Sequence, residues 1–407
     1  MPWPRLRRAR PGKDKALSPL DILFIEPYDG GSHRAFREGL AARSAHRIHP
    51  WTLPPRFWKW RLRGAAPWFA DAINAARPPC DLLLATDFLN VADFRGLLDP
   101  PYDRRPLLLY MHENQLTYPL SPEEEFDFHF GATNIVSALA ADRVIFNSEF
   151  HRELFLDGLP AYLGRMPEAI PRGVRARLAA KSAVLPVGLD RPCRRGGAGA
   201  PYLGGACAAD AGPAWPRDGE APLILWNHRW EFDKRPQWLA AALLRLADEG
   251  VPFRVALLGD PRGREEAFAS LREPLGRRVA AWGEAPAGAE YAGWLARADV
   301  VVSCAAQEYF GIAVAEAVHA GAYAVLPREQ VYPSLYGRAC RGRHLYDGEA
   351  GLASLLRDVL TGRCGHVCGL PPACDPFCWE RLAPRYDAEL AALAAAGGKE
   401  GRRADPA

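Results

Sequence analysis

Short apolar runs of four to seven residues, recurring along the chain with longer segments between them, constrain the fold of this 407-residue protein more than any other feature. In the first half they are Ile22–Glu26, Arg47–Leu53, Leu82–Thr86, Leu107–His112, Arg143–Asn147 and Ala183–Val187. In the second half they are Leu223–Asn227, Arg254–Leu258, Val279–Trp282, Val300–Cys304 and Ala322–Pro327. Runs that are apolar throughout, rather than alternating, suit strands with both faces covered. Such strands belong to parallel sheets flanked by helices. Each half therefore predicts a doubly wound, Rossmann-like α/β domain.

Between the halves, residues 188–221 are dominated by Gly, Pro and Ala without periodicity, which predicts a linker and a domain boundary. The expected organisation is a disordered basic arm over 1–19, a first domain over 20–187, and that linker. A second domain follows over 222–374, then a helix over 375–395 that crosses back onto the first domain, and a tail over 396–407. Apolar residues at 49% and charged residues at 24% fit a soluble globular protein, and no apolar run is long enough to span a bilayer. Stable membrane association is not expected. Nine scattered cysteines, an odd number, argue for reduced thiols and a cytoplasmic setting. Cys364, Cys368, Cys374 and Cys378, with His366, resemble metal-ligand spacing only loosely, because zinc pairs are usually two residues apart and prolines interrupt the region. No metal site is expected.

The run Val300–Cys304 leads into AAQEYFGIAVAEAVHAGA. Ligands of open α/β sheets bind at the carboxyl ends of strands, which is where this loop lies. Gly311 permits a tight turn, and a helix from Ile312 would aim free N–H groups near Phe310–Ile312 at a diphosphate. Glu316, one to two turns into that helix, is placed to accept from ribose hydroxyls, and Glu308 from sugar hydroxyls. Upstream, NHRWEFDKRP supplies Arg229 and Lys234 after a strand of the same half. Two cations there would neutralise a pyrophosphate and stabilise it as it leaves.

In the first half, EPYDGGSH places Gly30 and Gly31 in a loop that a ligand can approach closely, and HENQLTYP places His112 at a strand end facing the cleft. Arg56, Lys59, Arg61 and Arg63 interleave with Phe57, Trp58 and Trp60. Cations there would meet phosphates while an exposed aromatic stacks on an unpaired base. The alternative is that Trp58, Trp60, Trp68 and Phe69 are core residues of a helix with a basic outer face.

Glu308-x7-Glu316, with Phe310-Gly311 inside it and Arg229 and Lys234 upstream, resembles the retaining family 4 glycosyltransferases of the GT-B fold. EPYDGGSH, TLPPRFWKWRLRGAAPWFA, HENQLTYP, DFHFGATNIVSALAADRVIFNSEF, NHRWEFDKRP and QEYFGIAVAEAV together resemble the tRNA-queuosine α-mannosyltransferases, from about Asp21 to Asp387 apart from the linker. The resemblance implies two Rossmann-like domains facing a cleft, with mannose passing from GDP-mannose to queuosine in the anticodon of tRNA-Asp. It implies no cofactor and no required metal, since protein cations take that role. It implies that Glu308, Arg229, Lys234 and His112 act at the reaction centre, and that Gly30, Gly31, Phe310, Gly311, Ile312 and Glu316 bind the donor. Trp58, Lys59, Trp60, Arg61, Glu113, Asn114 and Gln115 become candidates for the tRNA side. A family 4 enzyme acting on a small molecule, lipid or envelope glycan, and a non-catalytic RNA or nucleotide-sugar binder, are the rival expectations.

Overall fold

A computed structural model of the chain describes residues 18–121, 124–190, 220–261, 263–284, 288–337, 343–363 and 374–401. Most of the expected basic arm and linker, Cys364, His366 and Cys368, and the end of the expected tail lie outside the described residues.

The first sheet contains β1 (Asp21–Glu26), β2 (Arg47–Thr52), β3 (Leu82–Thr86), β4 (Leu107–Met111), β5 (Arg143–Phe146) and β6 (Ser182–Val184). The second contains β7 (Leu223–Asn227), β8 (Arg254–Leu258), β9 (Val279–Gly283), β10 (Val300–Val302), β11 (Tyr323–Pro327) and β12 (Leu345–Tyr346). Their orders are β2-β1-β3-β4-β5-β6 and β12-β11-β10-β7-β8-β9. Every pairing is parallel. All residues of β3, β4, β7 and β11 are buried, so their apolar runs reflect burial on two faces. Ile22 and Phe24 face one core while Leu23 and Ile25 face another, the strand period of two. This is the doubly wound α/β architecture expected from the apolar runs. The two-residue β12 was not expected, because it is too short to leave a pattern.

Two features of the connection differ from a free linker and tail. Gly188 and Leu189 are held by the C-terminal segment: Leu189 N–H donates to Phe377 O at 2.8 Å, and Trp379 N–H to Leu189 O at 3.2 Å. The final helix runs over Trp379–Gly401, further than the expected 395. It lies on the first domain, where Tyr386 OH donates to Leu185 O at 3.0 Å and Ser44 Oγ to Asp387 Oδ1 at 2.6 Å. Trp379 fills a slot between Gly39 and Gly188. A Cβ on Gly39 would stand 2.2 Å from its Nε1, so only glycine fits.

The carboxyl ends of the central strands of both sheets meet across a cleft. Tyr309, from the loop after β10, ties them together. Its OH donates to Asn114 O at 3.1 Å, its backbone O accepts from Ser148 Oγ at 2.6 Å, and its ring stacks on His151 with centroids 4.1 Å apart.

Candidate active site

On the second domain, β7 ends at Asn227 and the chain turns through a short helical segment at Phe232–Lys234. Lys234 is buried, and its Nζ lies 2.7 Å from Gln307 O, 3.2 Å from Asp233 Oδ2 and 3.3 Å from Glu308 Oε2. Burial alone would discharge this amine. The Glu308 and Asp233 carboxylates outweigh that and hold its pKa above the ordinary lysine value. Arg229 is half-buried, 3.3 Å from Glu231 Oε2, with Nη2 3.5 Å from Tyr118 OH of the first domain. Its guanidinium stays charged despite burial because Tyr118, Glu231 and Asp233 surround it. A fixed pair of cations therefore faces the cleft.

Glu308 stands at the entrance of the helix Ile312–His319. Its Oε1 accepts from Gly311 N–H at 3.1 Å, and Gly311 has φ +79°, where a side chain would be strained. This corrects the expectation that the Gly311 N–H is free for a phosphate: Glu308 occupies it, leaving the Ile312 and Ala313 N–H groups at the helix start. The Phe310 ring is also not a ligand contact. It is buried edge-on against Phe377 with centroids 5.2 Å apart, so only its backbone is available. Ile312 is half-buried and packs its side chain on the same core.

Glu316 lies one turn further along and accepts from Tyr291 OH at 2.9 Å. Asn227 Nδ2, at the end of β7, donates to Tyr291 OH at 3.0 Å and to Ala313 O at 2.9 Å. This relay fixes the glutamate relative to the sheet. Burial raises the Glu316 carboxyl to about 7, only partly offset by the Tyr291 hydrogen bond.

On the first domain, β1 delivers Glu26, β3 delivers Thr86, and β4 delivers His112 at its end. Glu26 is fully buried; Thr86 Oγ1 donates to it at 3.0 Å, and both its oxygens lie 3.1 Å from His33 Nδ1. His33 comes from α1 (Gly31–Arg43), which follows the Gly30–Gly31 turn. Gly30 packs so tightly on Pro55 that an added Cβ would lie 2.5 Å from the proline Cβ, and Gly31 has φ +52°. The two glycines thus shape the turn that aims His33 inward. Burial opposes protonation of His33, but Glu26 outweighs it and raises the imidazole to about 9. The His112 ring packs on His33; its N–H of the main chain donates to Asp87 Oδ1 at 2.8 Å and its carbonyl accepts from Asn147 Nδ2 at 2.8 Å. Burial and the neighbouring His33 charge push His112 well below the ordinary histidine value. Its Nε2 has no hydrogen-bond partner among the described residues. His112 is therefore a neutral ring with an unused nitrogen.

Among the described residues, Glu26, His33 and His112 are also the group whose donor atoms converge closely enough for a metal, within 4.8 Å of one another. The bond between His33 Nδ1 and Glu26 accounts for that convergence, and an ion would have to displace its proton.

The loop after β4 contains Glu113, Asn114 and Gln115. Asn114 is fully buried, and its Oδ1 accepts from Leu116 N–H at 3.0 Å, Thr117 N–H at 3.1 Å and Thr117 Oγ1 at 3.1 Å. This corrects its expected place on the tRNA side: the side chain builds the turn, beyond reach of a macromolecule. Gln115 Nε2 donates to Glu113 Oε1 at 3.0 Å, so Gln115 steers the glutamate that faces the cleft.

The helix α2 (Trp58–Ala76) begins after Phe57, whose φ of +56° turns its ring outward. Trp58 is half-buried against Phe130, with centroids 5.2 Å apart, and Lys59 Nζ pairs with Glu124 at 2.8 Å. Trp60, by contrast, is 64% exposed and Phe57 70% exposed, while Phe69 is in the core. The alternative of a wholly buried aromatic set is thus corrected for Trp60 and Trp68, and Trp58, half-buried, is the least available of the three aromatics for stacking on a base. Arg61 is pinned by Nη2 donating to Pro54 O at 3.1 Å.

Sequence reasoning missed Glu26, Asp87, Asp233, Tyr118, Tyr291 and Tyr309 as parts of the site. Each follows a strand or sits beside a named motif, which was the available signal. Among the described residues no helix is long and apolar enough to cross a membrane. Cys80, Cys304, Cys374 and Cys378 are buried.

Residues 21–189 match the family model described as tRNA-queuosine alpha-mannosyltransferase N-terminal, and residues 221–338 match glycosyl transferases group 1. The chain is 34% identical over 361 residues to the tRNA-queuosine alpha-mannosyltransferase of Drosophila melanogaster, covering 86% of this chain and 87% of the relative. Among solved structures, Anabaena HepE in complex with UDP and glucose aligns with a TM-score of 0.61 at 18% identity, over 92% of this chain and 100% of that one. The sucrose-phosphate synthase of Thermosynechococcus elongatus aligns with a TM-score of 0.60 at 17% identity, over 94% of this chain and 98% of that one. At such identities these two establish the fold, the GT-B pairing of two Rossmann-like domains.

Proposed function

The chain belongs to the tRNA-queuosine alpha-mannosyltransferase family and is a glycosyltransferase, and from that premise we propose that it transfers mannose from GDP-mannose, with retention, to queuosine in the anticodon of tRNA-Asp. The observation that supports this reading is the pairing, across one cleft, of the cations Arg229 and Lys234 with His112, whose Nε2 has no hydrogen-bond partner among the described residues. Arg229 and Lys234 hold the diphosphate, exchanging part of their carboxylate contacts for phosphate oxygens and stabilising the charge that develops as the phosphate leaves. The Ile312 and Ala313 N–H groups add the positive end of a helix. Glu316 accepts from the ribose hydroxyls. Glu308 and the Phe310–Gly311 backbone orient the mannose, and His112 Nε2 accepts a hydroxyl from the opposite wall. Gly30 and Gly31 keep the first-domain turn low enough for the sugar to pass.

Protein cations replace a divalent metal in this account, and no side chain acts as a covalent nucleophile. The leaving phosphate itself takes the acceptor proton on the face where the new bond forms. Closure over the Tyr309 contact removes water, which would otherwise compete as acceptor. Outside the cleft, Phe57 and Trp60 offer stacking faces beside Lys59, Arg61 and Arg63, a surface suited to single-stranded RNA.

A donor screen by thermal shift tests the first half of this proposal. GDP and GDP-mannose are expected to raise the melting temperature more than UDP or UDP-glucose, since ligand at about 100 times its Kd stabilises by about 2.7 kcal/mol. Radiolabelled mannose should then appear on queuosine-containing tRNA; label on lipid or glycan instead would reject the acceptor.

A further inference from the structure

We propose that Gly64 is a positioning residue for the acceptor: it seats the Trp60 indole face-down on α2, leaving the other face open as a platform for one unpaired base of the RNA, with Arg56 and Arg61 beside it for the adjoining phosphate. This deepens, and rests on, the reading of a tRNA acceptor.

Gly64 lies inside α2, one turn after Trp60. Glycine within a helix costs stability relative to alanine, so nothing about forming the helix calls for it. An added Cβ there would stand 2.7, 2.8 and 2.9 Å from Trp60 Cε2, Nε1 and Cζ2. Cε2 is the nearest of the three, whereas an approach in the ring plane would bring its two flanking atoms closer than Cε2 itself. The glycine therefore lies under the face of the indole and not at its edge. Trp60 is nonetheless exposed, so the face turned away from the helix is the open one. A ring with one face seated and one face open has the shape that stacks a base.

The charge beside it is uncompensated. The Arg56 guanidinium lies 5.8 Å over the Phe57 ring, and Arg61 Nε has no hydrogen-bond partner among the described residues. Neither arginine has an ion pair among those residues, whereas Lys59 is paired with Glu124. Burial and the charge of Arg56 lower the Arg61 pKa, as expected of two like charges with no carboxylate between them. A phosphate supplies the missing charge. The start of α2 also adjoins the cleft. Pro55 packs on Gly30, and the Trp58 ring leads through Phe88, centroids 6.1 Å apart, to His33, a further 5.5 Å on. A base on Trp60 thus belongs to a nucleotide close to the one in the cleft. A lipid surface is the competing partner, but insertion gains from a ring that stands out from its helix, and this one lies flat.

Gly64→Ala puts a methyl group under the ring and lifts it. Because alanine favours the helix, the melting temperature is expected to equal or exceed that of the wild type. The KM for queuosine-containing tRNA-Asp should rise about fivefold or more, the lower end of a lost base–aromatic stack. kcat and the KM for GDP-mannose should not change. In a Trp60→Ala background the same substitution should have no further effect, since the ring it acts through is gone. Trp60→Phe should keep most of the tRNA affinity and Trp60→Leu should lose it. A Gly64→Ala variant that binds tRNA like the wild type, while Trp60→Ala binds weakly, overturns the seat alone. Should Gly64→Ala not fold, the Phe and Leu variants decide, and equal affinities overturn the platform. Trp60→Ala that loses binding to phosphatidylserine–phosphatidylcholine vesicles but not to tRNA overturns the assignment in favour of a lipid surface. A wild type inactive on queuosine tRNA overturns both this assignment and the reading it rests on.

Discussion

The imidazole of His33 lies over that of His112 with ring centroids 4.0 Å apart and planes inclined by 30°, the first ring held as a cation by Glu26 and the second kept neutral beneath it. Two stacked imidazoles cannot both carry charge in a buried site, so Glu26 decides which one does.

The pair carries a stability signature. His33 rises from 6.5 unfolded to about 9 folded, worth about 3 kcal/mol at an order-of-magnitude level. Because the folded value is the higher one, this contribution is complete below pH 6.5 and is lost as pH rises through about 9. Denaturant midpoints of wild type and Glu26→Gln should therefore differ most near pH 6 and converge toward pH 9.5. A constant gap would contradict the ion pair.

Arg229→Ala and Lys234→Ala are each expected to lower kcat by about 10²- to 10³-fold, the usual cost of removing a preorganised donor from a developing charge. Lys234→Ala should also cost stability, since it strands buried Asp233 without its cation. Steady-state kinetics beside thermal melts separate the two effects. An unchanged kcat would remove either residue from the reaction centre.

Donor affinity should depend on pH through Glu316. Ribose hydroxyls bind best to the carboxylate, and burial raises this group to about 7. Below that value the site must lose a proton before binding, so GDP affinity should fall by up to about tenfold per pH unit below 7 and level off above it. Calorimetry of wild type and Glu316→Gln checks this; the variant should bind weakly with no such slope.

The helix α2 separates two aromatic roles. Trp60→Ala should weaken tRNA binding by about 1–3 kcal/mol while leaving the melting temperature nearly unchanged. Trp58→Ala should lower the melting temperature, because Trp58 packs on Phe130 and Phe88. Filter binding and thermal melts on both variants decide it; equal losses of affinity would contradict the division.

The sheets were legible in the sequence because burial on both faces makes a strand apolar at every position, and only the two-residue β12 was too short to show. Glu308, Gly311 and Glu316 were legible because a loop and one helix fix their spacing locally. The Glu26–His33–His112 group was not. Its members come from β1, α1 and β4, and they converge only because β3 lies between β1 and β4 and places Thr86 against Glu26. Asn114 was misread for a different reason: its place in HENQLTYP gives no sign that the following turn consumes its oxygen. Trp58 and Trp60 were indistinguishable by composition. Two positions apart on a helix, they point to different faces, and the start of α2 decides which is covered.

Digesting tRNA-Asp to nucleosides after incubation with the purified protein and GDP-mannose, and weighing the queuosine by mass spectrometry, decides whether queuosine is the acceptor. The expected result is queuosine heavier by one hexose, with α-linked mannose released on hydrolysis, and no addition to the same tRNA carrying guanosine at that position. Unmodified queuosine from a protein that consumes GDP-mannose, or equal labelling of both tRNAs, would contradict it.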